Sequence, residues 1–414
     1  MQQKLSYYYA NTAPHFAAKC LLCLMLVFCL FYQSIAQRRI DIDSSQAKKR
    51  DLIDVYRKVS QGRSYAGLRP LQIKGVQFGF LPTVGSSEGD RGFVTAFVTT
   101  FYLGDHEQTN MSNVFITPYF TLRDQFVLPI RSYIWTNNNK WSFTGDYRIM
   151  KYPQYTYGLG PNDNTRPLAL IDYNQMRFYQ DILRRAARNF AIGGGIQLDY
   201  YYSLDTSKVR YDSRLNGSYN LPSTNELSAG VTFDLLYDSR GNTINPLRGE
   251  FFRFTLRQNL PVNNSNQNWV SLYIDTRKYI PLNSSKNALI ALWSLYWATL
   301  NGQPFYLDLP SIGWDHFGRT GRGMLRNRYR STSLVYLEAE YRTELSKDGF
   351  WGMVLFANTV SPATMYSYDY SKWYGALGAG LRIKYNKFTR SNIFSDVAFS
   401  RDYISWYVGL NEYF

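Results

Sequence analysis

The residues best equipped for chemistry lie in one stretch, Gly321-Arg322-Gly323-Met324-Leu325-Arg326-Asn327-Arg328-Tyr329-Arg330. It runs into Leu337-Glu338-Ala339-Glu340-Tyr341-Arg342, where two acids sit two positions apart. A guanidinium offers a planar fork of donors that a carboxylate accepts two at a time. Residues at i and i+2 of a strand share a face, so Glu338 and Glu340 can meet one arginine together. Gly323 lets the backbone turn tightly beside such a contact. The chemistry implied is a charge-assisted latch; the plainer reading is a basic surface loop solvated by water.

Covalent chemistry has few candidates. His106 sits in Asp105-His106-Glu107 and His316 in Asp315-His316-Phe317, each between loop-forming residues. Neither has a cysteine or a second nearby histidine to complete a metal set. No Gly-rich phosphate loop has the strand–loop–helix context it needs. The expectation is a protein that is not an enzyme, with no metal and no cofactor.

The first 36 residues have the form of a signal peptide. Lys4 and Lys19 supply positive charge, Cys20 to Tyr32 form a short apolar run, and Ser34-Ile35-Ala36 fits a small-x-small cleavage site. All three cysteines lie in that run, so an exported chain would carry neither disulfides nor a thiolate metal site. Removing the leader takes away two lysines and no acid, which leaves a net charge of about +13. The basic residues are dispersed between apolar ones and form no basic helix, so no nucleic-acid partner is expected. Anionic outer-membrane lipid and a polar lumen suit this charge better.

The elements that would position the latch are strands. Tyr 36, Phe 26 and Trp 9 make the chain aromatic-rich while mean hydropathy stays slightly polar at -0.34. After the leader no run approaches the 18 apolar residues of a membrane helix. Aromatic girdles around alternating strands give both properties together. Residues 37–70 are polar, hold one short helix near 47–61, and read as a periplasmic leader too short for a docking module. From 71 to 414 the pattern predicts sixteen strands, near 74–81, 92–103, 112–121, 125–136, 140–151, 169–183, 189–202, 228–238, 249–260, 267–280, 286–300, 333–345, 350–360, 374–385, 392–401 and 404–414. The long connection 301–332 falls between the eleventh and twelfth. In the twelfth, Val335, Leu337, Ala339 and Tyr341 lie on one side, and Tyr336, Glu338, Glu340 and Arg342 on the other. Such a charged face is costly against lipid and comfortable in a watery lumen. The fold expected is all-β, a sixteen-stranded antiparallel transmembrane β-barrel.

Three segments carry more than alternation. Tyr237-Asp238-Ser239-Arg240, a turn through Pro246, and Gly249 resemble a hairpin of the BamA/TamA surface-antigen superfamily of outer-membrane barrels. Gly241 departs from it, standing where the family often has a second acid. The Arg322-Gly323 step resembles the core of the family's Val-Arg-Gly-Phe/Tyr loop motif, with Met324 in place of the aromatic and Gly321 in place of the apolar residue. Gly378-Ala379-Gly380-Leu381-Arg382 and Ser395-Asp396-Val397-Ala398 are similar to strands near the family's C-terminus, and Tyr157-Gly158-Leu159-Gly160 to a step in its short members. Finally, Trp406, Val408, Leu410 and Phe414 look like the C-terminal insertion signal that barrels offer to their assembly machinery.

The resemblance implies a short family member lacking periplasmic POTRA domains, integral to the outer membrane of a Gram-negative bacterium. It implies a loop folded into the lumen, Arg322 meeting Glu338 or Glu340, and a further partner at 358, where Asn358 stands in the family's Asp position. A neutral Asn358 would weaken the latch. The implied role is outer-membrane protein assembly or polypeptide translocation through a weak seam between strands 74–81 and 404–414, with client proteins or an assembly complex as partners. The alternative is a passive pore, or a structural or accessory barrel in an outer-membrane complex.

Overall fold

The computed structural model describes residues 49–61, 77–87, 90–105, 108–121, 124–163, 166–205, 225–262, 268–284, 287–316, 318–401 and 403–414. The expected signal segment 1–36, most of the expected leader 37–70, and His106 lie outside them.

One helix, α1 (Leu52–Gln61), precedes the sheet. The Asp51 carboxylate caps it by accepting from the Asp54 N–H at 2.8 Å. Eighteen strands follow: β1 (Gln77–Ser87), β2 (Asp90–Phe101), β3 (Ser112–Ile116), β4 (Tyr119–Thr121), β5 (Phe126–Trp135), β6 (Trp141–Lys151), β7 (Gln154–Thr156), β8 (Ala169–Ala187) and β9 (Phe190–Asp205). The rest are β10 (Glu226–Asp238), β11 (Gly249–Leu260), β12 (Trp269–Pro281), β13 (Ala288–Asn301), β14 (Ser333–Glu344), β15 (Trp351–Pro362), β16 (Tyr374–Asn386), β17 (Ser391–Ser400) and β18 (Ile404–Leu410).

Every pairing is antiparallel and each stave neighbours the next along the chain. The sheet has the sixteen staves expected, with two local departures. β3 and β4 are two pieces of one stave, each pairing with β2 on one side and β5 on the other. Pro118 lies between them; it has no N–H to give the ladder. β7 is a short flap folded back on the start of β8. Among the described residues no ladder joins β1 to β18, although their Cα traces approach within 8 Å. The sheet is therefore open along that line.

Period-two alternation sorts the side chains. On β14, Tyr336, Glu338, Glu340 and Arg342 are buried while Leu337 faces out. On β10, Asp234 and Leu236 are buried while Val231 and Phe233 are exposed. Exposed Phe178, Ile182, Ile196, Leu355, Leu377 and Leu381 continue an apolar exterior around the sheet. A charged interior under an apolar exterior inverts a water-soluble protein and matches a lipid-facing barrel. Short turns such as 345–350 and 387–390 gather at one mouth, and long connections such as 302–332 and 363–373 at the other.

α1 is tied to the short-turn mouth. Lys387 donates its N–H to Asp51 at 2.9 Å and its ammonium to Asp54 at 2.7 Å. Lys49 pairs with Glu344 at 2.5 Å, and the Arg50 N–H reaches the Asp348 carbonyl at 2.9 Å.

Candidate functional site

The connection 302–332 builds itself before it meets the walls. Ser311 and Arg330 form an isolated antiparallel bridge, and the Ile312 N–H reaches the Tyr329 carbonyl at 3.1 Å. The Asp315 carboxylate accepts from the N–H groups of Arg319 and Thr320 at 2.9 and 2.8 Å and from the Thr320 hydroxyl at 2.7 Å. The loop then packs on two parts of the wall. Phe305, Tyr306, Leu309 and Trp314 join Met150, Ile171 and Tyr201. Ile312, Met324 and Tyr329 join Trp293, Tyr336 and Val360. It thus occupies the interior from β6–β9 to β13–β15. Burial of this many aromatic and aliphatic side chains gives the loop a fixed place, at roughly 1.5–3 kcal/mol for each large side chain fully covered.

At its tip Arg322 is completely buried. Its Nη1 donates to Glu338 Oε1 at 3.1 Å and also to Glu340; its Nη2 donates to Asp396 Oδ2 at 2.8 Å. The guanidinium lies over the Phe356 ring, 3.4 Å from its centroid, with the Tyr413 ring 4.4 Å away. Aromatic faces hold a flat cation without competing for its in-plane donors. Two further arginines share the acids. Arg342 Nε donates to Glu340 at 2.6 Å, and Arg382 bridges Asp396 at 2.5 Å and Glu412 at 2.7 Å. The Tyr336 hydroxyl donates to Glu338 at 2.5 Å. Four carboxylates and three guanidiniums thus pair with one another away from water, with one nitrogen of each guanidinium (Arg322 Nε, Arg342 Nη1 and Arg382 Nη2) making no hydrogen bond among the described residues.

Two glycines make room for this. Gly323 has φ +91°, and a Cβ there would stand 2.9 Å from the Ala376 methyl and 3.0 Å from that of Ala398. Its N–H donates to the Tyr407 hydroxyl at 2.9 Å. Gly380 lies opposite Asp396 in the ladder, and a side chain there would occupy the place of the Asp396 carboxylate. Met324 is buried in the apolar cluster beside Trp293 and Tyr336.

The structure places Asn358 differently from the family-based expectation. Its Nδ2 donates to the Arg322 backbone carbonyl at 2.7 Å and makes no bond to the guanidinium. The third acid on Arg322 is Asp396 of β17, so the site does not lack charge for want of an aspartate at 358. Asp396 stood in the sequence within a motif strand, yet nothing local tied it to a residue 74 positions earlier. Only the β14–β17 register brings the two together.

The hairpin residues form a separate unit. Arg240 Nε and Nη2 grip Asp238 at 3.0 and 2.9 Å, and Gly249 at φ +104° opens β11 where a Cβ would stand 2.7 Å from the Ser239 carbonyl. Pro246 is buried in the turn between them. Asn242 and Asn245 of that turn donate to the carbonyls of Thr389 and Arg390 at 3.1 and 3.3 Å, tying it to the β16–β17 turn. It makes no bond to Arg322 itself; Asn245 touches the network at Glu412, to which its Nδ2 donates at 3.4 Å.

The last residues also depart from expectation. The final strand ends at Leu410, not Phe414. Trp406 is exposed on the outer face, Val408 and Leu410 are half-buried, and Phe414 is buried inside, 5.3 Å from the Trp293 ring. Asn411 at φ +76° turns the chain inward. There Glu412 meets Arg382, the Glu412 carbonyl accepts from Arg319 at 2.8 Å, and the Phe414 carbonyl accepts from Arg342 at 2.8 Å. These bonds outweigh continued alternation, which would have placed Phe414 on the outer face.

His316 lies in the buried loop, its carbonyl accepting from Arg148 at 3.0 Å; burial and the neighbouring Arg253 hold its imidazole well below the ordinary range, hence neutral. Among the described residues no group of three or more His, Cys, Asp or Glu could hold a metal ion.

No protein-family model matches this chain, and no curated protein matches it in sequence. Solved structures do resemble it. BamA from Haemophilus ducreyi lacking POTRA domains 1-3 superposes with a TM-score of 0.52 at 12% identity, over 81% of this chain and 69% of that one. CdiB from Acinetobacter baumannii superposes with a TM-score of 0.52 at 9% identity, over 81% of this chain and 65% of that one. The chain therefore spans about two thirds of the length of each. The fold resembles the outer-membrane β-barrels of BamA and CdiB.

Proposed function

We propose that this is an outer-membrane β-barrel of the BamA/TamA type that assists insertion or translocation of other polypeptides. The supporting observation is the occupied interior: a loop latched by Arg322 to Glu338, Glu340 and Asp396 inside a sheet whose edge strands share no ladder among the described residues. A lumen filled in this way suits a passive pore poorly. A seam with no ladder among the described residues leaves strand edges that pair readily with another strand. On this reading the partners are membrane lipid around the barrel and unfolded outer-membrane proteins at the seam.

The experiment is a disulfide lock, with one cysteine in β1 and one in β18, followed by an inventory of outer-membrane proteins. Locking the seam is expected to lower the level of other outer-membrane proteins, as depletion of the protein would, and reduction to reverse it. An unchanged inventory under a complete lock would contradict the proposal. Single-channel recording separates the pore reading, which requires a steady open conductance unaffected by Arg322→Ala.

A further inference from the structure

At the long-loop mouth a cavity of about 350 Å³ opens between the loop tip, the start of β16 and the β17–β18 turn. The Arg322 latch does not use it. Its lining combines an apolar floor, Met324 and Leu325, with aromatic faces from Tyr329, Tyr374, Trp373 and Tyr403. Tyr329 and Tyr374 are stacked with centroids 4.2 Å apart, which fixes that wall. Among the described residues three cations, Arg328, Lys372 and Arg401, share the lining with one carboxylate, Asp163. Lys372 donates to Asp163 at 2.7 Å and Arg401 stands 3.6 Å from it. That hydrogen bond from Lys372 holds the Asp163 carboxyl below its ordinary range, so it stays ionised beside the cations of the lining.

We infer that this cavity binds a phosphorylated sugar, presented as the headgroup of a membrane glycolipid. Arginine and lysine together suit a phosphate, one as a fork and the other as a mobile point charge. Flat aromatic faces beside them cover the apolar face of a sugar ring. The volume lies at the small end of ligand pockets, enough for one or two sugar units. The placement argues for a lipid source. The mouth lies at the top of β16, whose Leu377 and Leu381 are 63% and 53% exposed on the outer face, so acyl chains attached to a bound sugar can run down that strand. Asp163 acts as the resident stand-in for the phosphate, holding the cations until one arrives.

The test uses the full chain in detergent and isothermal titration with glucose 1-phosphate, glucose and inorganic phosphate as separate probes. Glucose 1-phosphate is expected to bind, inorganic phosphate more weakly, and glucose not measurably. The K372Q/R401Q double variant should weaken glucose 1-phosphate binding at least about tenfold, the scale of one lost charge-assisted hydrogen bond. Asp163→Asn should tighten it, because it removes the competing anion; a merely structural role for Asp163 predicts no gain. These side chains are half exposed or more, and heat-modifiable gel mobility verifies that each variant is folded. A second arm compares vesicles containing a phosphorylated glycolipid with vesicles of phosphatidylglycerol, at equal charge. Preferential retention of the glycolipid, lost in the double variant, supports the lipid source; equal retention of both assigns the site to soluble phosphosugars and overturns it. No binding of glucose 1-phosphate, or binding unchanged in the double variant, overturns the inference altogether.

Discussion

The interior holds two kinds of arginine. Arg253 on β11 is satisfied by the wall itself, with Asp181 on β8, Asp234 on β10 at 3.2 Å and Thr255 on its own strand at 3.2 Å. Arg322 belongs to the loop and borrows its acids from β14 and β17. The first kind ties strand to strand and persists whatever the loop does. The second leaves part of the wall's negative charge without its counter-ion unless the loop is seated. The comparison teaches that stability of the barrel and seating of the loop rest on separate charge networks and can be broken separately.

The strongest test breaks each network in turn. Arg322→Ala should unseat the loop, because removing one partner of a buried network costs about 3–5 kcal/mol. Exposure of the loop to protease should rise while the barrel's unfolding midpoint changes less. Arg253→Ala should do the reverse, lowering the midpoint in denaturant and leaving loop protection as it was. If both variants move both readouts equally, the two networks are one.

A smaller effect tests the fit of the tip. Gly323→Val puts a branched side chain at φ +91° against two alanine methyls, and should cost about 1–3 kcal/mol of loop seating. Ala376→Gly in the same chain should recover part of it, measured by the same protease assay.

Asn358 sharpens the comparison further. An aspartate there would complete the family pattern, yet the carboxylate would face the Arg322 carbonyl and lose the 2.7 Å hydrogen bond. Asn358→Asp should therefore loosen the loop by about 1–3 kcal/mol, the cost of leaving a buried acceptor unmet. A tighter loop in that variant would show that position 358 serves the guanidinium after all.

The smallest effect is on pH. Asp308 lies in the loop, accepting from the Tyr201 hydroxyl at 2.8 Å and from Ser228. Burial, and then the nearby Asp199 charge, push its carboxyl up from 3.8 to about 6. An acid raised on folding stabilises below its unfolded pKa, and that contribution is lost as pH rises through the folded value. Loop seating from this group should be full below about pH 4 and fall through about pH 6. Asp308→Asn should flatten that dependence in a protease-protection titration.

Much of this was legible in the sequence, for physical reasons that also mark where legibility stopped. Period two sorts faces strand by strand, so the lumen face of β14 could be read from alternation, while the pairing of Arg322 with Glu338 and Glu340 rested on the resemblance of the Arg322-Gly323 step to a family motif. The β3–β4 break at Pro118 was present in the sequence but hidden inside a segment that otherwise alternates. Asp396 could not be tied to Arg322, since that contact depends on the register of three intervening ladders. Asn358 lay on the right strand; its donor role depends on which atom of the loop arrives there. The inward turn at Asn411 was unreadable because alternation continues through Phe414, and only arginines on distant elements draw those residues inside.

The central claim is that the arginine-bearing loop sits inside the barrel, latched through Arg322. Trypsin digestion of the folded protein, with cut sites mapped by mass spectrometry, tests it most directly. Arg322, Arg328 and Arg330 are at most 3% exposed, so the account predicts no cleavage at them in the folded wild type and prompt cleavage at Arg328 and Arg330 in Arg322→Ala. Ready cleavage at these three arginines in wild-type protein that remains a folded barrel would contradict it.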